Sequence, residues 1–221
     1  MTHPQVIKAL QFIRDHQEPD GSWYGRWGVN YVYGTWQVLR GMRAMNWNMN
    51  EDWLQRGRVW LESVQHDDGG WGERCNTYDD PVFKGKGPST ASQTAWAVMG
   101  LLAFDDPTRG SIVRGIEYLA RTQNTDGSWT EHETTGTGFP KVFYLKYDTY
   151  RNAWPLLALG QYRRLLDRPI AKGHTSSNGS PNGSSHPQHN GAPGAYAAGH
   201  SNGANGANGV HGHAHRMASK R

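Results

Sequence analysis

Gln65-His66-Asp67-Asp68-Gly69-Gly70-Trp71 occurs in this chain in three versions, and the recurrence sets the architecture. It stands upstream as Gln17-Glu18-Pro19-Asp20-Gly21-Ser22-Trp23 and downstream as Gln123-Asn124-Thr125-Asp126-Gly127-Ser128-Trp129, always with Gln first, Asp-Gly in the middle and Trp six residues after the Gln. The copies lie 48 and 58 residues apart, a period within the range of stacked helical hairpins. Each follows an amphipathic stretch, Val6 to Ile13, Trp60 to Val64 or Ile112 to Leu119, whose apolar residues recur at steps of three and four and predict helices. The Asp-Gly pair is read as ending each of these helices, since Gly accepts the left-handed backbone of a C-terminal cap.

After each loop a second helix is predicted: Tyr31 to Met45, Ser92 to Phe104 and Leu145 to Leu166. Ser92 to Phe104 is apolar on nearly every side, as an inner helix should be. Pro155 is expected to mark a boundary or kink in the last one. The Gln and Trp of each loop have a structural reading. A Gln amide near a helix end can hydrogen-bond a backbone carbonyl while the Trp ring packs against it, so Gln17, Trp23, Gln65, Trp71, Gln123 and Trp129 tie neighbouring hairpins together.

Composition divides the 221 residues near position 169. All ten Trp precede that point, whereas seven of the eleven His and no Asp or Glu follow it. Residues 1–168 have the large apolar side chains of a core. Residues 169–221, rich in Gly, Asn, Ser and His, cannot offset their ordering entropy by burial and are expected to be disordered. His211, His213 and His215 in that tail could hold a transition metal but are read as incidental. The net charge of +4 is spread among acids or gathered near the C-terminus, which suggests a solvated end rather than a nucleic-acid surface. One cysteine, Cys75, excludes an internal disulfide, fits a reducing compartment, and has no His or carboxylate at a triad or metal-ligand spacing. No signal peptide is legible, and Ala95 to Phe104 is about half the length that spans a bilayer.

Three such loops resemble the QW motifs of triterpene cyclases. Asp20 to Thr35 looks like that family's segment after a QW motif. Gly136-Thr137-Gly138-Phe139-Pro140-Lys141-Val142-Phe143-Tyr144-Leu145-Lys146-Tyr147-Asp148-Thr149-Tyr150-Arg151 resembles the squalene–hopene cyclase form, with the Gly-Phe-Pro that sterol-forming relatives usually lack. The resemblance covers residues 5–167, the C-terminal portion of such an enzyme. It implies an all-α fold, an α/α-barrel (toroid) of helical hairpins of which this chain supplies a part. It also implies cyclisation of squalene or a similar polyprenoid to hopene or hopanol, without cofactor or metal, by an enzyme seated on the cytoplasmic side of the membrane from one face. Partners implied are the N-terminal region of the cyclase or a homo-oligomer.

Protonating an unactivated alkene demands a strong acid in a dry pocket. The family's acid lies in an Asp-x-Asp-Asp motif, and this chain has only Asp67-Asp68, Asp79-Asp80 and Asp105-Asp106, read as loop and cap residues. The carbocations that follow need stabilisation by groups without reactive lone pairs, which aromatic faces provide at up to about 2 kcal/mol or more when desolvated. The resemblance carries Phe139 and Phe143 onto cation-stabilising phenylalanines, Tyr147 and Tyr150 onto supporting tyrosines, Leu145 onto a cavity-shaping residue, Trp27 onto an active-site Trp, and Tyr33 onto a Tyr near the acid. Phe139, Phe143, Tyr147 and Tyr150 also fall at steps of four, four and three, the spacing of one helical face or of a core-packing stripe. Two alternatives remain at this point. A protein prenyltransferase β-subunit would need Asp, Cys and His zinc ligands. A stand-alone helical-repeat module would use the aromatic face as a lipid or protein groove.

Overall fold

A computed structural model describes residues 3–168. The proposed tail at 169–221, its predicted disorder and its His cluster lie outside the described residues. Among the described residues six helices follow one another as three helix–loop–helix units: α1 (Pro4–Asp15) then α2 (Tyr31–Ala44), α3 (Asp52–Ser63) then α4 (Ala91–Leu102), and α5 (Gly110–Thr122) then α6 (Tyr150–Leu166). Helix α4 packs between α2 and α6, with α3 and α5 against it. Its apolar sequence matches that place, for all its residues from Ala91 to Leu102 are buried. Helix α5 turns a single face inward, with Ile112, Gly115, Tyr118 and Leu119 buried at steps of three, three and one.

The three loops form joints. Trp23, Trp71 and Trp129 donate their indole N–H to the carbonyls of Ile13, Leu61 and Leu119 at 2.8, 2.7 and 2.8 Å, so each ring is pinned to the end of the helix before it. Gln17 Nε2 donates to Gly21 O within its own loop at 2.9 Å and to Trp53 O in the first turn of α3 at 2.6 Å. Gln65 Nε2 repeats this with Gly69 O at 2.8 Å and Ser111 O in the first turn of α5 at 2.9 Å. Arg56 and Arg114 return a bond to the Gln17 and Gln65 side-chain oxygens. Each Gln thus fastens the start of the next hairpin.

The glycines of the Asp-Gly pairs do adopt left-handed conformations, with φ of 96°, 87° and 85° at Gly21, Gly69 and Gly127. They are not helix caps, however. The helices end at Asp15, Ser63 and Thr122, and each glycine lies in the turn beyond. A Cβ on Gly21 or Gly69 would stand 2.7 Å from backbone atoms of Arg56 or Arg114, so the missing side chain lets the next helix approach.

The all-α expectation needs correction at residues 136–149. Gly136–Phe139 forms strand β1 and Phe143–Leu145 strand β2, an antiparallel pair with Phe139 opposite Phe143. The predicted helix from Leu145 starts only at Tyr150. Gly136 and Gly138 weaken a helix here, Pro140 lacks the N–H one needs, and Lys141 turns the chain at φ 67°. Pro155 ends nothing: α6 runs through it to Leu166. It stands only six residues into the helix, where the carbonyl it deprives of a partner belongs to Arg151 in the first turn.

Candidate functional site

The β1–β2 hairpin is held against the segment after the first loop. Thr137 N donates to Trp27 O at 3.1 Å, Val29 N donates to Thr135 O at 3.0 Å, and Gly28 bridges Gly136. This docking brings together residues more than a hundred positions apart. Trp27 and Phe139 lie with ring centroids 6.3 Å apart, and Phe139 and Phe143 at 5.8 Å, both edge to face. Gly138 makes room for the second contact, since a Cβ there would stand 2.0 Å from the Phe143 ring. The three rings are 51%, 50% and 44% exposed, a cluster of large apolar faces left uncovered among the described residues.

A second aromatic group runs from the exposed Tyr147 inward to buried Trp96. Tyr147 and Tyr150 approach to 4.7 Å, and Tyr150 meets Trp96 and Trp154 edge to face, both at 5.8 Å. Tyr33 meets Trp96 at 5.0 Å and Trp36 at 5.5 Å. The predicted residues therefore fall into two sets: Trp27, Phe139 and Phe143 at the surface, and Tyr147, Tyr150 and Tyr33 joined through Trp96. Leu145 is half-buried opposite Gly136 in β2. The single helical face proposed for Phe139, Phe143, Tyr147 and Tyr150 does not exist, because a hairpin and a turn carry the first three.

Sequence reading missed Trp36, Trp96 and Trp154, which link α2, α4 and α6. Trp36 and Trp96 stack with planes 5° apart, and Trp154 meets Trp36 edge to face at 5.0 Å. Their three buried indole N–H groups have no acceptor among the described residues. Burial raises the Tyr150 phenol above its ordinary pKa, so the group stays neutral. Around these rings the surfaces are neutral and aromatic, suited to a large apolar molecule or a transient cation. The charged neighbours are peripheral: Arg26 sits 5.4 Å from the centre of the Trp27 ring, and Lys141 is at the hairpin turn.

Two carboxylates also went unread. Glu73 and Glu131 stand two residues after Trp71 and Trp129, a spacing that the repeat itself displays. Each reaches back to the N-terminus of the inner helix of the hairpin before. Glu73 Oε2 accepts from Asn30 N at 3.3 Å and Val32 N at 3.0 Å at the start of α2. Glu131 accepts from Ser92 N and Ser92 Oγ at the start of α4, and from Thr135 Oγ1. Glu73 Oε1 has no partner among the described residues, and burial pushes this carboxyl up to about 7. The Asp-Asp pairs occupy turns: Asp68 accepts from Gly70 N at 2.9 Å, Asp80 caps a short 3₁₀ turn through Val82 N at 2.9 Å, and Asp105 pairs with Arg43 and Arg168. Cys75 is half-buried, and its thiol is pushed up to about 11 by burial and by Glu133, well away from an activated nucleophile.

Residues 1–164 match the squalene-hopene cyclase C-terminal domain. The chain belongs to that family. It is 45% identical over 166 residues to the squalene–hopene cyclase of Bradyrhizobium diazoefficiens, covering 74% of this chain and 25% of the relative. The squalene–hopene cyclase of Alicyclobacillus acidocaldarius is 48% identical over 163 residues, with 74% of this chain and 26% of the relative covered. The dammaradiene synthase of Dryopteris crassirhizoma is 45% identical over 175 residues, with 73% and 26% covered. The chain spans about a quarter of the length of these curated relatives. Among the described residues of this cyclase C-terminal domain, no helix is long and apolar enough to cross a membrane.

Proposed function

We propose that this chain supplies part of the wall of a polyprenoid-cyclising cavity, as the C-terminal portion of a squalene–hopene-type cyclase. The observation that carries the reading is the packing of Trp27, Phe139 and Phe143 into one exposed aromatic cluster by a hairpin docked on a distant loop. Edge and face contacts hold these rings in place, so their π faces can meet a developing carbocation without the solvent reorganisation that water would require. None of the three carries a lone pair that would trap the cation. Half-buried Tyr150 and Tyr33 back the wall from within, exposed Tyr147 extends it beside Tyr150, and Leu145 shapes it between them.

The chain has no Asp-x-Asp-Asp sequence, so the proton for the first alkene comes from a region outside it. Alone, the chain forms no cyclised product. The three hairpins make one arc of an α/α toroid whose remaining hairpins close the cavity against water, and the complete enzyme takes squalene from one membrane leaflet on its cytoplasmic side. No cofactor takes part.

A chimera tests this. Residues 3–168 replace the matching quarter of the Alicyclobacillus acidocaldarius relative, and the purified protein is given squalene. The expected result is a pentacyclic triterpene from the chimera and none from the 221-residue chain. A folded chimera that releases squalene unchanged would overturn the proposal.

A further inference from the structure

Helices α2 and α6 both pack against α4, and the last turns of all three enclose a cavity of about 260 Å³. Trp27 and Tyr147 stand just before α2 and α6, so the aromatic cluster lies at the opposite end of these helices. A 14-residue helix such as α2 separates the two places by about 20 Å. The cavity is lined by Arg40 and Arg43 of α2, by Arg164 of α6, and by Arg168 two residues beyond the end of α6. Met99, Leu102 and Leu165 give it apolar walls.

Four guanidinium groups face one carboxylate there. Asp105, in the turn after α4, is shared by Arg43 and by Arg168, the latter at 3.0 Å. Arg40 is half-buried, yet it has no hydrogen bond and no carboxylate among the described residues, and Arg164 has none either. The nearest other acids are engaged elsewhere: Asp106 pairs with Arg109 at 3.1 Å and Asp167 with Arg163 at 3.2 Å. No Asp or Glu follows Asp167, so the rest of the chain brings no acidic side chain. The C-terminal ends of three helices contribute about half a negative charge each, roughly half of what the three unmatched cations carry. The cavity therefore stays positive, and a half-buried cation without a partner is costly until an anion meets it.

We propose that this cavity binds a phosphate monoester, its phosphate between Arg40 and Arg164 and its carbon atoms against Met99, Leu102 and Leu165. Guanidinium forks match phosphate oxygens in pairs, and they hold them more firmly than an ammonium would. The charge favours phosphate over carboxylate: a carboxylate would neutralise one of the two free arginines, whereas a dianionic monoester neutralises both. The apolar walls favour an ester over the inorganic ion, which has no carbon to bury. A soluble sugar or glycerol phosphate and the headgroup of phosphatidic acid carry this same chemistry. The site is built from the inner helices of the three units, not from α1 or the third loop. It rests on no part of the aromatic-wall reading.

Calorimetric titration of the 221-residue chain at constant ionic strength is the test, with glycerol phosphate and inorganic phosphate as probes. Glycerol phosphate is expected to bind with a Kd of about 1 mM or tighter, and inorganic phosphate more weakly. Arg40→Gln and Arg164→Gln should each weaken binding about tenfold or more. Lys8→Gln removes the same charge from an exposed place on α1 and leaves binding unchanged. Arg164 is exposed, so its variant keeps the parent melting curve even if Arg40→Gln lowers it. Co-sedimentation with phosphatidylcholine vesicles, with and without phosphatidic acid, separates the two sources. Uptake that needs phosphatidic acid and is competed by glycerol phosphate assigns the lipid headgroup, and glycerol phosphate binding without uptake assigns a soluble ester. The folded chimeric cyclase should bind glycerol phosphate as the chain does. Absence of binding by every probe, an equal loss with Lys8→Gln, or a chimera that fails to bind would each overturn the proposal.

Discussion

The second loop, Gln65 to Trp71, and the third, Gln123 to Trp129, share a plan down to the Trp bond on the preceding helix end, at 2.7 and 2.8 Å. They differ in what lies across from them. The second loop is closed by the first turn of α5, so Gln65 bonds in two directions and Gly69 is buried against Arg114. The third has no helix there among the described residues, and Gln123 keeps only its local bond. For the carboxylates the order reverses, since Glu131 has a full set of donors while Glu73 leaves one oxygen unmatched. One motif therefore encodes a half-joint, and its stability depends on the helix that fills it.

The largest expected effect concerns Glu73, the carboxylate with the unmatched oxygen. Glu73 titrates at about 7 in the folded chain against 4.5 for the free side chain, so the folded state holds its proton more tightly. Its contribution is fully present below pH 4.5 and is lost as pH rises through about 7, a swing of about 3 kcal/mol. Urea unfolding of Glu73→Gln should therefore lack that share of the parent chain's decline across the window. An unchanged decline would mean that the orphaned oxygen is solvated.

Next come the glycines. Gly69→Ala and Gly127→Ala meet the same left-handed backbone, costing about 1 kcal/mol each, but only the first adds a methyl against a fixed carbonyl, for about 1–3 kcal/mol more. Equal denaturation midpoints for the two would break the contrast between the loops. The smallest effect is that of the amides. Gln65→Ala should cost about 1–2 kcal/mol and Gln123→Ala below about 0.5 kcal/mol in urea unfolding.

Much of this was legible in the sequence because it is local. Apolar residues at steps of three and four located all six helices, but the reading began α3 at Trp60, eight residues after its start at Asp52, and α6 at Leu145, five residues before its start at Tyr150. The loops identified themselves by recurrence. At 136–149 the same periodicity misled, since aromatics at steps of four, four and three fit a helix as well as they fit a hairpin and turn. What selects the hairpin is partly local, in Gly138 and Pro140, and partly the docking of β1 on Trp27 and Val29, which no window of sequence contains. The Glu73 and Glu131 caps act across 39 to 43 residues and became visible only once the hairpins were placed side by side. The Trp36–Trp96–Trp154 cluster stayed hidden for the same reason, with its rings on three separate helices.

The central claim is that the clustered rings face a carbocation. It is tested most directly by the products that the chimeric cyclase makes from squalene when Phe139→Ala is compared with Trp60→Phe, a smaller truncation at a buried aromatic outside the cluster. Mass spectrometry should show incompletely cyclised triterpenes accumulating with Phe139→Ala, and the parental product pattern at a reduced yield at most with Trp60→Phe. An unaltered product pattern from folded, active Phe139→Ala enzyme would contradict the account.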